Sequence, residues 1–281
     1  MWRSLQDTSH NEDPIAAKFE ELRSRSEGAL IAYLTGGDPT PEQFLTNASA
    51  LVEGGADIVE IGIPFSDPIA DGPVIQASSQ RALGAGITPK KVLSLAEDFS
   101  AQHDLPLVLL TYCNPILAMG VERFFQGAQK SGVSGVVVPD IPANGDPQFR
   151  RLASKHGIDS ILLAAPNTPE TRLRQILAET TGFLYLVSLY GVTGPRKTLG
   201  PRALESLKRV MSINKNRTPV SAGFGVSTPD HVRTLMRAGG DGAIVGSALV
   251  QKVQDHLGDP GETEQVLKKH VAELKQSTRK F

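Results

Sequence analysis

The chain has 281 residues, 40% of them apolar and 27 of them glycine, enough to close one sizeable core. Its charges nearly cancel, at a formal −1, which provides no broad basic field for nucleic acid and no adhesion to an anionic membrane. A single cysteine, Cys113, excludes an internal disulfide and a multi-cysteine metal site, and no stretch approaches about 18 uninterrupted apolar residues.

From the N-terminus, Met1–Pro14 carries Asp7, Glu12 and Asp13 and lacks the apolar core of a leader. Positions 1–13 read as a flexible tail of a cytoplasmic protein, although an organelle precursor already trimmed would look the same. Pro14–Arg25 then predicts an extra helix ahead of the first strand. Strands are expected at Ala29–Leu34, Asp57–Gly62, Leu107–Thr111, Gly135–Pro139, Ser160–Ala164, Phe183–Ser188, Pro219–Ala222 and Gly242–Gly246. Several are almost continuous in Val, Ile and Leu, as in parallel strands covered on both faces. Helical patterns lie between them at Pro41–Glu53, Lys90–Ser100, Val121–Lys130, Gln148–Lys155, Pro169–Leu177 and Pro229–Arg237. A short one, Ala248–Val253, follows the eighth strand. Glu262–Lys275 predicts the last helix, with positions 276–281 expected to fray.

Four joints share one pattern: Gly54-Gly55, Gly132, Gly157 and Gly239-Gly240 each stand between a helical pattern and the next strand. Glycine there ends a helix in a left-handed cap, and the chain turns directly into the strand. Eight strand–helix units without a linker predict one domain over 1–281, an α/β fold of the (β/α)8, or TIM barrel, type. A doubly wound sheet has the same alternation, but Thr35-Gly36-Gly37-Asp38-Pro39 lacks the third glycine of a dinucleotide fingerprint.

Barrel chemistry sits at the C-terminal ends of strands and in the loops that follow. The densest such place is Glu60-Ile61-Gly62-Ile63-Pro64-Phe65-Ser66-Asp67-Pro68-Ile69-Ala70-Asp71-Gly72-Pro73. Glu60 interrupts an apolar strand, so it points outward or sits in the mouth, where burial would raise its pKa toward neutrality. Asp67 and Asp71 each read equally well as turn formers, yet two carboxylates converging on one mouth could divide acid and base roles. Gly223-Phe224-Gly225 after the seventh strand and Gly246-Ser247 after the eighth look like a phosphate cradle, because glycine amides and a helix start favour an anion. Leu189–Gly200, with Arg196-Lys197, suits a lid over a small phosphorylated substrate or a plain surface loop. The six histidines are scattered, with no metal-ligand spacing, and neither a Gly-x-Ser-x-Gly elbow nor a Walker loop occurs. Acid–base work therefore falls to carboxylates, or to Tyr112 and Tyr185 if their hydroxyls face the mouth.

Over about Phe19 to Val271 these residues resemble the tryptophan synthase alpha subunit family. The likeness rests on Leu34-Thr35-Gly36-Gly37-Asp38-Pro39, the Glu60–Pro73 segment, Tyr112-Cys113-Asn114-Pro115, Gly191-Val192-Thr193-Gly194 and Gly223-Phe224-Gly225. The resemblance implies a lyase of tryptophan biosynthesis that cleaves indole-3-glycerol phosphate by retro-aldol chemistry to indole and glyceraldehyde 3-phosphate. Glu60 matches the family's acid–base carboxylate and Asp71 the carboxylate that binds the indole N–H. By the same matching Gly194, Gly223, Gly225, Gly246 and Ser247 hold the phosphate. Tyr185, Phe224, Tyr112 and Ile75 line the indole pocket, and Thr193 orients Asp71. The family implies no metal and no cofactor in this chain; pyridoxal phosphate belongs to a beta subunit, the expected partner in an alpha2beta2 assembly. The apolar loop Pro115–Met119 and Pro64–Asp67 would suit that interface. Cys113 stands where a larger aromatic is expected, and Leu189-Tyr190 is a variable pair. A stand-alone lyase and a non-catalytic barrel that binds a phosphorylated ligand remain the alternatives.

Overall fold

Five helices start alike, at Asp13-Pro14, Thr40-Pro41, Thr88-Pro89, Thr228-Pro229 and Asp259-Pro260, and the side chain before each proline accepts a first-turn backbone N–H. Proline at the first helical position has no N–H to leave unpaired, and its φ is already helical, so these pairs fix where each helix begins. The computed structural model describes residues 13–145, 147–187, 199–215, 217–223 and 225–280. Its first half runs α1 (Pro14–Ser24), β1 (Ala29–Thr35), α2 (Pro41–Glu53), β2 (Ile58–Gly62), α3 (Pro73–Gly84), α4 (Pro89–Ser100), β3 (Leu107–Leu110), α5 (Cys113–Met119), α6 (Val121–Lys130), β4 (Gly135–Val137) and α7 (Pro147–Lys155). The second half continues with β5 (Asp159–Ile161), β6 (Leu163–Ala164), α8 (Glu170–Glu179), β7 (Leu184–Val187), α9 (Pro201–Asn214), β8 (Val220–Gly223), α10 (Pro229–Arg237), β9 (Gly242–Val245), α11 (Ser247–Asp255) and α12 (Pro260–Gln276). Gly55, Gly132, Gly157 and Gly239 take φ of +95°, +73°, +67° and +94°, the left-handed joints expected before strands.

All pairings are parallel, in the order β5-β4-β3-β2-β1-β9-β8-β7-β6. β5 pairs with β4 and β6 with β7, and only Leu162 separates the two. They are the halves of one broken strand, so the ring closes as the expected eight-strand barrel. Every residue of β1 and β2 is buried, Glu60 included, as in parallel strands covered on both faces.

Alternation along each strand decides which side chains fill the barrel. Ala29, Ile31, Ile58, Val108, Val137, Ile161, Phe183 and Ile244 form an interior cluster, and Ile15, Phe19 and Leu22 of α1 plug it from below. Leu30, Ala32, Leu34, Val59 and Ile61, pointing the other way, join the larger shell beneath the outer helices. The same alternation, carried two residues on, delivers Tyr33, Glu60, Leu110, Pro139, Leu163 and Tyr185 to the mouth.

Three helices were not expected. α3 (PVIQASSQRALG) and α9 carry thin apolar stripes between loops rich in glycine and proline. The third, α5, corrects the reading of Pro115–Met119 as a loop: these residues are helical, with Pro115 and Ile116 buried and Leu117 exposed. The C-terminal segment is a second correction. Up to Lys280 it does not fray: Thr278 is fully buried, its carbonyl accepts from Gly28 N–H at 2.8 Å, and Lys280 N–H donates to Ser26 O at 2.7 Å. The tail reading of positions 1–13 lies outside the described residues except for Asp13, which caps α1. Among the described residues no helix is long and apolar enough to cross a membrane.

Candidate active site

A cavity of about 280 Å³ opens at the C-terminal ends of the strands. Its walls include Tyr33 from β1, Glu60 from β2, Leu110 from β3, Tyr185 from β7, Ile244 from β9 and the segment Ile69–Gly72. Glu60 is fully buried and neither carboxyl oxygen has a hydrogen-bond partner among the described residues. Burial, with a smaller push from the negative charge of Asp71, raises its pKa to about 8. The carboxyl is therefore protonated at neutral pH, which removes the large penalty of a buried bare charge.

Asp71 reaches the same cavity from the loop after β2. Its backbone N–H donates to Pro68 O at 3.0 Å, and Gln76 Nε2 donates to its carbonyl at 2.9 Å, so the turn is tied at both ends. Burial raises the Asp71 carboxyl to about 6, and a hydrogen bond from the Tyr112 hydroxyl holds it from rising further. Tyr112 also accepts from Ala70 N–H at 3.1 Å and packs on Phe65, with ring centroids 5.5 Å apart. Tyr112 is thus a bolt that fixes the Ala70–Asp71 turn, and it is not among the cavity's walls. At pH 7 one carboxyl is neutral and the other mostly ionised, a division of acid and base by environment.

Tyr33 was missed, although alternation from Ala29 and Ile31 places it inward. Its hydroxyl lies 3.3 Å from Thr35 Oγ1, which lies 2.6 Å from Ser78 Oγ, and Ser78 donates to Ile75 O at 2.8 Å. A Cβ added at Gly62 would strike the Tyr33 hydroxyl, so only glycine at the end of β2 lets this ring lie across the mouth. Leu110, Pro139, Leu163 and Val187 were missed for the same reason and supply apolar wall. Ile75 and Tyr185, both expected, line the cavity.

Gly223, Gly225, Gly246 and Ser247 also line it. Gly225 has φ +73°, where an L side chain costs about 1–2 kcal/mol. Gly246 caps α11, and its carbonyl takes the Leu249 and Val250 N–H groups. The first amides of α11, including that of Ser247, have no acceptor within the helix and are available to an anion. Thr193, Gly194 and Phe224, expected here, lie outside the described residues, as does most of the segment 189–200 expected to form a lid. Among the described residues no group of His, Cys, Asp and Glu could hold a metal ion.

The family model described as tryptophan synthase alpha chain matches residues 19–279. The chain belongs to the tryptophan synthase alpha chain family. A tryptophan synthase alpha chain of Methanoregula boonei is 43% identical over 253 residues, covering 90% of this chain and 95% of the relative. The solved alpha chain of Legionella pneumophila superposes with a TM-score of 0.86 at 31% identity, covering 95% and 97% of the two chains. A tryptophan synthase complex of Pyrococcus furiosus contains a chain matching at TM-score 0.80 and 42% identity, covering 89% of this chain and 98% of that one. The chain is accordingly a lyase of tryptophan biosynthesis, the alpha subunit that cleaves indole-3-glycerol phosphate, on a TIM barrel.

Proposed function

We propose that Glu60 moves both protons of the retro-aldol cleavage and that Asp71 binds the indole nitrogen. The observation that supports this is the pairing of a buried and a half-buried carboxyl, raised to about 8 and about 6, in one cavity with the glycines of two strand ends. Neutral Glu60 donates its proton to the ring carbon that bears the glycerol chain. The carboxylate left behind takes the proton from the neighbouring side-chain hydroxyl as the carbon–carbon bond breaks. The bonding electrons return to the ring, the oxygen becomes the aldehyde of glyceraldehyde 3-phosphate, and indole leaves. Ionised Asp71 accepts the indole N–H and stabilises the positive charge that the ring carries after protonation, with Tyr112 holding it in place.

The amides of Gly225, Gly246 and Ser247, with Gly223 in the same wall and Gly194 from the lid, take the phosphate. Tyr33, Ile75, Tyr185 and Phe224 flank the ring, while Thr193 orients Asp71. A tryptophan synthase beta subunit, carrying the pyridoxal phosphate, receives the indole in an alpha2beta2 assembly in the cytoplasm. Exposed Ile69 and Leu117, beside the mouth, suit that contact.

Indole release from indole-3-glycerol phosphate tests the assignment. Glu60→Gln should fold and lose about 10²–10⁴ in turnover, the usual contribution of a general acid–base group. Turnover near the wild-type value would overturn it. Added beta subunit should accelerate the wild-type chain and leave the Glu60 variant slow.

A further inference from the structure

Two residues downstream of Gly225, a wall of the cavity, the chain is held from outside the cavity. Val226, the neighbour of Gly225, is buried in the core. Ser227, the next residue, donates its backbone N–H to His231 Nδ1 at 3.3 Å, and its hydroxyl lies 3.5 Å from the same nitrogen. His231 is 3% exposed at the third position of α10, and its own N–H donates to the capping Thr228 hydroxyl at 3.3 Å. The two contacts form a reciprocal cap, in which the helix receives a side-chain acceptor and returns one to the incoming loop. Nδ1 accepts from a backbone N–H, so the ring proton sits on Nε2.

We propose that His231 is a positioning residue for the phosphate end of the substrate, its bond to Ser227 fixing the direction of the Gly225 amide two residues upstream. The inference rests on the reading of Gly225 as a phosphate donor. A left-handed residue such as Gly225 has wide freedom of its own, so its direction is set by what anchors the chain on either side. β8 anchors it upstream, and Val226 with the Ser227–His231 bond anchors it downstream. An amide that turns away by a few tens of degrees no longer aligns with a phosphate oxygen, whereas Glu60 and Asp71, on other elements, are left in place.

Steady-state kinetics of indole release carries the first test. His231→Leu should raise KM for indole-3-glycerol phosphate roughly five- to tenfold with kcat within about twofold. His231→Asn, whose Oδ1 stands near the Nδ1 position, should bring KM back to within about twofold of wild type. An unchanged KM in the leucine variant, a kcat that falls by as large a factor as KM rises, or an asparagine variant no better than leucine would each overturn the inference. Should the leucine variant fail to fold, His231→Gln takes its place with the same expectation, because its acceptor reaches toward the Nε2 position instead. Amide NMR during titration with inorganic phosphate separates this inference from the reading beneath it. Gly225 and Gly246 should both respond in the wild type, and only Gly246 in the variant. No response at either amide in the wild type removes the phosphate reading itself. Equal responses in both proteins remove only the role of His231.

Discussion

Glu60→Gln should gain stability relative to the wild type as pH rises, even as it slows the reaction. In the folded chain the carboxyl keeps its proton up to about pH 8, whereas an ordinary glutamate in the unfolded chain releases it near 4.5. Between those values the folded state binds more protons, so stability must fall with increasing pH, by about 1.4 kcal/mol per pH step from this group alone. Below 4.5 the contribution is flat because both states are protonated, and above 8 it is flat because both are ionised. Glutamine has nearly the same shape as the neutral acid and no proton to lose. Between pH 5 and pH 8 the variant should therefore gain about 4 kcal/mol on the wild type. Water drawn toward the ionised carboxyl would reduce this to about half. Urea unfolding of both proteins at the two pH values measures the difference. Equal losses of stability between pH 5 and pH 8, to within about 1 kcal/mol, would refute the reasoning, because Glu60 would then be ionised already at pH 5.

Further predictions concern the same residues and their supports. The kcat/KM profile for indole release should be bell-shaped, with apparent limbs near pH 6 and pH 8: below the first Asp71 gains a proton, and above the second Glu60 loses the one it must donate. A flat profile from pH 6 to pH 9 would contradict the assignment. Gly62→Ala should drive Tyr33 from its seat into the cavity and raise KM at least tenfold with modest loss of stability; a crystal structure with Tyr33 unmoved would refute this. Truncation after Gln276 should destabilise the barrel by about 2–4 kcal/mol in urea unfolding, since it strands the Gly28 N–H and removes the buried Thr278. Unchanged midpoints would show that this segment contributes nothing.

Much of this was legible in the sequence, and the reasons are local. Unbroken runs such as Ala29–Leu34 and left-handed joints such as Gly239 are signals set by neighbouring residues, so the barrel and most of its strands and helices could be read directly. Glu60 stood out because an apolar strand tolerates a carboxylate only when something is done with it. Tyr33 did not, because an aromatic within a strand is ordinary; only counting inward positions from Ile31 reveals it. Tyr112 was placed at the mouth, but its hydrogen bonds to Ala70 and Asp71 depend on a loop more than 40 residues distant in sequence. The anchored C-terminus was invisible for the same reason. Ser277–Lys280 is polar and resembles any frayed end until Gly28 and Ser26 are brought against it.

The reactivity of Glu60 is set in part at the opposite end of the barrel. Water that reached the carboxyl from below would hydrate it and draw its pKa down toward the ordinary carboxylate range. What prevents hydration from below is the layer Ile31, Ile58, Val108, Val137, Ile161, Phe183 and Ile244, which α1 seals with Ile15, Phe19 and Leu22. Phe19 and Phe183 are in ring contact at 5.8 Å, and Phe183 in turn lies 6.4 Å from Tyr185, a wall of the cavity. With the bottom closed, water reaches the carboxyl by way of the mouth, the route that a bound substrate would occupy. A helix at the far end of the barrel therefore helps keep Glu60 protonated. The expected consequence is that Phe19→Ala, far from the substrate, lowers the basic limb of the pH profile from about 8 toward ordinary values while leaving the limb near 6 in place. A profile unchanged in a folded Phe19 variant would place the whole of the effect at the mouth.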